Sequence, residues 1–278
     1  TMIRLQSDLK LYNIMMARDL NFRRNDISSV YNNHSPGIYF ERLFSKGDEI
    51  IPEKVGKEDP ILNIATHNLL SFGRPIFDAL GDRCTFVEVV RHPLYMIRQL
   101  ALNFERLDNN VRNFTLHYLY GEDEVPFYTR GWEDEFLKAS AMGKAVMYMR
   151  EGVLRNEQLK KDLKNRASVN IVTVPFERLV LDPESWIKLI ADAIGSHKTE
   201  VTSRVMIEQR VPRLKIADGI DLEIYRRCGW TPPEEGASER DELNLRRMDV
   251  IKGEGASVIS ILDELCKSYE IQYWAPLN

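Results

Sequence analysis

The chain has 278 residues, 44% of them hydrophobic and 29% charged, with a net charge of −4, the balance of an ordinary globular protein. That charge excludes a surface coated in cations for nucleic acid, so any anion site has to be a local cluster. Cys84, Cys228 and Cys266 are far apart and form no C-x-x-C pair, and no run of about 18 apolar residues occurs, so the reading is a cytoplasmic protein without disulfide framework, membrane span or signal peptide.

The first residues already follow a helical pattern, with Met2, Leu5, Leu9, Tyr12 and Met16 three or four apart. A helix that opens on Thr1 has no N-cap of its own, and native sequence is expected to precede it. Residues 21–33 read as a polar loop. "SPGIYFERLF" reads as a helix start, with Ser35 as N-cap and Pro36 at the first helical position. Residues 46–60 read as a charged surface loop. "ILNIA" (61–65) is a candidate buried strand with Thr66, His67 and Asn68 at its end. "RPIFDALG" is a helix stopped by Gly81.

"TFVEVV" (85–90) is the next strand. Arg91 and His92 follow it, and Pro93 opens a helix through about Arg106. Residues 108–130 give little pattern beyond an acidic stretch at 122–124, read as surface loop. Residues 132–164 read as helical with a break near Gly152. "VNIVTV" (169–174) is a third strand. In "LDPESWIKLIADAIG", Asp182 reads as N-cap, Pro183 as first turn and Gly195 as terminator. Residues 216–240 are rich in Gly, Pro and charge, and a last amphipathic helix spans about 256–269.

Strands alternating with helices imply an α/β fold, a parallel sheet with helices on both faces. The expected organisation is one domain over 1–278, with a helical insertion at about 108–165. In such sheets ligands bind beyond the carboxyl ends of the strands. His67 and Arg91 both stand at such ends. Arg91 also precedes a helix N-terminus, where free N–H groups and the dipole favour phosphate or sulfate, and its planar fork grips two anion oxygens.

"VEVVRHPLYMIRQL", "VPFERLVLDPESWIKLIADAIG" and "IATHNL" together resemble the sulfotransferases that use 3′-phosphoadenosine 5′-phosphosulfate (PAPS). The resemblance covers roughly residues 61–195. It implies a P-loop nucleotide-binding-like, three-layer fold. It implies that Arg91 binds the donor's 3′-phosphate, and that His67, in the place of the family's "K-T-H" histidine, is the catalytic base. The family's second phosphate ligand is a Ser eight residues after the Arg, and Gln99 stands there instead. Ala65 replaces the Lys, and Phe176 takes the place of a Tyr in "Y-E-x-L". The family's glycine-rich 5′-phosphosulfate loop does not occur in the chain. Its tail is expected at Thr1, the loop itself lying upstream; the alternative is a chain that lacks it. "IKGEGAS" (251–257), with Lys252, is a candidate for the family's late basic donor segment, against a solvated face of Arg240, Arg246, Arg247 and Lys252.

The resemblance implies a small-molecule or carbohydrate acceptor with a hydroxyl or amine, and PAPS as co-substrate. No metal site is expected, because His34, His67, His92, His117 and His197 show no ligand spacing. Glu177 reads as a structural carboxylate that bonds backbone N–H groups near a strand end. Aromatic residues of the loops at 21–60 and 108–130 read either as an acceptor pocket or as core. Two alternatives stand beside the enzyme: a degenerate, non-catalytic relative, and a P-loop kinase-like protein. The second would need a Walker lysine and an acidic Mg²⁺ ligand, and neither is found.

Overall fold

A computed structural model describes residues 20–22, 29–32, 36–44, 68–109, 116–166, 169–219 and 238–274. The chain divides into two compact units, residues 1–66 and 67–278. Thr1, Ser35, the candidate strand 61–65 and His67 lie outside the described residues.

In the first unit, helix α1 (Pro36–Phe44) follows a 3₁₀ turn at Val30–Asn32. Pro36 opens it as expected, since its fixed φ suits the first helical position. Phe22, Tyr31 and Phe40 form a ring cluster with centroids 5.9–6.3 Å apart. Phe22 and Tyr31 remain about half exposed.

The second unit opens with two short helices, α2 (Leu69–Phe72) and α3 (Arg74–Leu80). Strand β1 spans Thr85–Val90 and pairs in parallel with β4 (Asn170–Pro175), from Thr85 opposite Asn170 to Val90 opposite Pro175. Between them lie α4 (Pro93–Asn109), a hairpin of β2 (His117–Tyr120) and β3 (Asp123–Pro126), α5 (Glu133–Lys138) and α6 (Ala141–Arg166). After β4 come α7 (Phe176–Leu181), α8 (Pro183–Ala193), α9 (Glu200–Glu208), α10 (Glu239–Ile251) and α11 (Ala256–Tyr269), which continues into a π turn, Glu270–Trp274.

Strand alternation separates the two faces of the pair. Phe86 packs edge-on against Phe77 of α3 at 5.5 Å. Glu88, on the same face, meets Lys160 of α6 at 2.6 Å and accepts hydrogen bonds from Asn156 and Thr173. Thr85 points the other way and donates to the carbonyl of Ala193 at the end of α8. A buried carboxylate within a strand is tolerated because these three donors satisfy it.

The main core lies beside the sheet rather than on it. Leu94, Ile97, Ala101 and Phe104 of α4 interlock with Ala145, Val146 and Met149 of α6, Val250 of α10 and Leu262 and Cys266 of α11. A smaller cluster of Leu70, Phe77, Leu159 and Leu163 underlies the sheet face.

Three expectations are corrected here. The helix over 132–164 does not break near Gly152; it breaks at Ala139–Ser140, and α6 runs through Gly152. A helical glycine costs only about 1 kcal/mol, less than α6 gains by packing on α4 and α11. The segment 108–130 is no plain loop but carries the β2–β3 hairpin, turned by Gly121 at φ +64°. The stretch expected as a helical insertion thus mixes strands and helices, and α6 belongs to the central core. The described sheet has two parallel strands. No helix among the described residues is long and apolar enough to cross a membrane.

Candidate functional site at the end of strand β1

The parallel register carries one residue past each strand. Because Val90 faces Pro175, the two chain ends Arg91-His92 and Phe176-Glu177 emerge side by side. Pro93 then stops the strand and starts α4, which turns the helix N-terminus toward the same spot.

Arg91 is half-buried here. Its guanidinium carbon lies 4.6 Å from the centre of the Phe176 ring and 5.6 Å from that of Tyr95, in the first turn of α4. Its Nε is 3.8 Å from Glu177 Oε1. Two further arginines share these rings. Arg213, on the loop after α9, stands 5.7 Å from the Phe176 centre. Arg246 of α10 stands 5.0 Å from that of Tyr95 and is paired with Glu242 at 2.7 Å. Three guanidinium groups from three elements thus lie against two aromatic rings, each contact worth about 0.5–2 kcal/mol depending on desolvation.

Glu177 lies beneath them, 1% exposed. Its Oε1 accepts the backbone N–H of His92 at 3.1 Å, and its Oε2 accepts the hydroxyl of Tyr269 from α11. The structural role expected for Glu177, holding backbone N–H groups at a strand end, is the one observed at His92. The Tyr269 hydroxyl is pushed well above its ordinary pKa, first by burial and then by the Glu177 charge, and so stays a donor.

His92 is fully buried. Its Nδ1 accepts the N–H of Leu94 at 3.3 Å, which leaves Nε2 to donate to Glu270 Oε1 at 3.3 Å. Rings of Tyr95, Tyr269 and Trp274 surround it at 5.2–6.0 Å. Burial lowers its pKa, against the raising effect of Glu270 and Glu177, so the imidazole is held neutral. The π turn after α11 is thereby fastened to the strand–helix junction.

Tyr95 donates its hydroxyl to Glu239 Oε2 at 2.6 Å. The other oxygen of Glu239 accepts the N–H of Ile216 at 2.7 Å. Ser238 caps α10 with a reciprocal box to Asp241, which fixes Glu239 in the first turn.

Of the residues expected to hold a donor, Arg91 is at this junction. Gln99 lies on α4 four residues beyond Tyr95, on the same helix face and half-buried. Lys252 lies elsewhere, at the C-terminal end of α10. Its side chain is 72% exposed and 3.7 Å from Asp249, which also pairs with Arg98. Of the late basic residues read as a solvated face, Arg240 and Lys252 are exposed, whereas Arg246 pairs with Glu242 and Arg247 with Asp263. Tyr128, from the region read as either acceptor pocket or core, belongs to the core, and Tyr118 and Phe127 pack against it. Arg213, Glu239 and the partners of His92 had no local sequence signal; contacts from about 20 to nearly 180 residues apart in the chain bring them here. A shallow groove of about 410 Å³ runs along α11, but its Asp263 is already held by Arg247 and it presents no cluster of cations. Among the described residues no group of His, Cys, Asp and Glu is arranged to hold a metal ion.

No protein-family profile, no curated protein and no solved structure matches the chain.

Proposed function

We propose that the chain binds the 3′-phosphate of a phosphoadenosine nucleotide at Arg91 and transfers a sulfuryl group from PAPS to a hydroxyl or amine acceptor. The observation that carries this reading is the position of Arg91. It stands past the end of a parallel strand, beside the N-terminus of the 17-residue helix α4, with its guanidinium stacked on Phe176. The N–H groups of His92, Leu94 and Tyr95 are already bonded to Glu177 and to His92, so the helix dipole and the oriented guanidinium supply the attraction for an anion here. Gln99, one turn beyond Tyr95, offers an amide donor where the resembled family has a serine. The resemblance assigns Thr1 to the 5′-phosphosulfate side and His67 to proton abstraction. Lys252, exposed and paired with Asp249, has no part in this reading.

In the step itself the acceptor oxygen or nitrogen bonds to sulfur as the bond from sulfur to the bridging oxygen breaks. The electron pair leaves with 3′-phosphoadenosine 5′-phosphate, and His67 takes the acceptor proton. Positioning and charge stabilisation do most of the work in such in-line transfers. The deciding experiment is release of adenosine 3′,5′-bisphosphate from PAPS in the presence of hydroxyl and amine acceptors. His67→Ala is expected to lower that turnover by about 10²–10⁴-fold with donor affinity unchanged. Retained turnover removes His67 from the mechanism. A non-catalytic nucleotide binder is the second reading, favoured by Gln99 in the serine place, and binding without any turnover selects it.

A further inference from the structure

Two guanidinium groups against one phenyl ring repel each other, so something other than mutual attraction has to hold the second. Arg213 reaches Phe176 from a loop, residues 209–219. The Arg213 N–H donates to the carbonyl of Val180 at 2.7 Å. Its Nη1 donates to the carbonyl of Ile216 at 2.9 Å, closing a small turn. The Ile216 N–H is bonded to Glu239 at 2.7 Å, and the same carboxylate takes the Tyr95 hydroxyl at 2.6 Å. Gly219 lies against the guanidinium, where a Cβ would sit 2.9 Å from Arg213 Cζ.

One carboxylate therefore ties the turn that carries Arg213 to α4, which begins two residues after Arg91. We infer that Glu239 is a positioning residue for the anion junction: by holding Tyr95 and Ile216 together it sets the Arg213 guanidinium beside that of Arg91, so that one anion meets both. The inference rests on the reading of Arg91 as a phosphate ligand. Glu239 itself touches no ligand; its two oxygens are spent on Tyr95 and Ile216.

The test is a double-mutant cycle on the full chain with adenosine 3′,5′-bisphosphate as probe, read by calorimetry beside the melting temperature. Arg213→Ala and Glu239→Ala are each expected to weaken binding roughly 10-fold or more, the lower end for losing a charged hydrogen bond. The double variant is expected to be no weaker than Arg213→Ala alone, because Glu239 acts through Arg213. Glu239→Gln keeps a carbonyl for Ile216 and an amide for the Tyr95 oxygen, and is expected to stay within about 2-fold of wild type. Should the alanine variant not fold, Glu239→Asp, one methylene short, is expected to lose affinity as the alanine does. Unchanged affinity in Glu239→Ala or Glu239→Asp overturns the inference, as do losses that add in the double variant. If Arg91→Ala leaves affinity intact while Glu239→Ala lowers it, the Arg91 reading falls and takes with it the claim that one anion meets both guanidinium groups. A wild type that does not bind the probe overturns both.

Discussion

Glu177 is the carboxylate on which the junction is built, and truncating it tests the packing most severely. It is 1% exposed and accepts the His92 amide at 3.1 Å and the Tyr269 hydroxyl. Hydrogen bonds to a charged group contribute about 1.5–3 kcal/mol each. In Glu177→Ala both donors are left buried without an acceptor. The ion pair with Arg91 adds little, because that side chain is 36% exposed and 3.8 Å away, the regime of roughly 0–1 kcal/mol. The expected cost is therefore about 3–5 kcal/mol, the range for breaking a buried charge network. For a folded unit of about 200 residues this is a fall in Tm on the order of 10 °C. Urea unfolding followed by circular dichroism gives the free energy directly. Glu177→Gln, which keeps an acceptor for the His92 amide, should cost less than half as much. A loss below about 1 kcal/mol in the alanine variant would refute the claim that Glu177 ties β1, α4 and α11 together.

His92 gives a pH signature. Its folded pKa lies below the ordinary value because burial disfavours the imidazolium, while Glu177 and Glu270 oppose this without reversing it. The unfolded chain then binds more protons, so stability is full above about pH 6.5 and falls as pH drops below it. His92→Gln should flatten that slope in urea titrations between about pH 5 and 7; an equally steep slope would contradict it. Gly219→Ala pushes a Cβ to 2.9 Å from the Arg213 guanidinium carbon. The far end of a flexible side chain can move, so the cost in stability should stay under about 1 kcal/mol, while affinity for adenosine 3′,5′-bisphosphate falls. Wild-type affinity in that variant would show that the place of Arg213 is immaterial.

What was legible in the sequence was what short-range chemistry decides. "TFVEVV" is β1 with the bounds read from its β-branched run. Pro93 opens α4 and Pro183 opens α8, each where a fixed φ and a missing N–H favour a first turn. The terminal helix Ala256–Tyr269 follows its apolar periodicity. β4 is displaced by one residue, because pairing with β1 extends it to Pro175. The hairpin at 117–126 escaped detection because its alternation is masked by acidic residues, although Gly121 marks the turn. Gly152 misled because packing outweighs a local propensity of about 1 kcal/mol. Within the site, Arg91 was legible from the strand–Arg–x–Pro–helix order. The remainder was not. Tyr269 reaches Glu177 across 92 positions, Glu270 reaches His92 across 178, and Glu239 reaches Tyr95 across 144. Contacts at such separation are fixed by the fold and leave no periodic trace in the chain.

The measurement that bears most directly on the account is calorimetric titration of adenosine 3′,5′-bisphosphate, adenosine 5′-phosphate and inorganic sulfate into wild type, Arg91→Ala and Arg91→Lys. Arg91 as the 3′-phosphate ligand predicts that wild type prefers the bisphosphate to the monophosphate. It predicts that Arg91→Ala loses about 1.5–3 kcal/mol of that binding, and that lysine restores little of it, since the bidentate fork and the stack on Phe176 are gone. Equal affinity for the two nucleotides, or an alanine variant that binds the bisphosphate as wild type does, would contradict it.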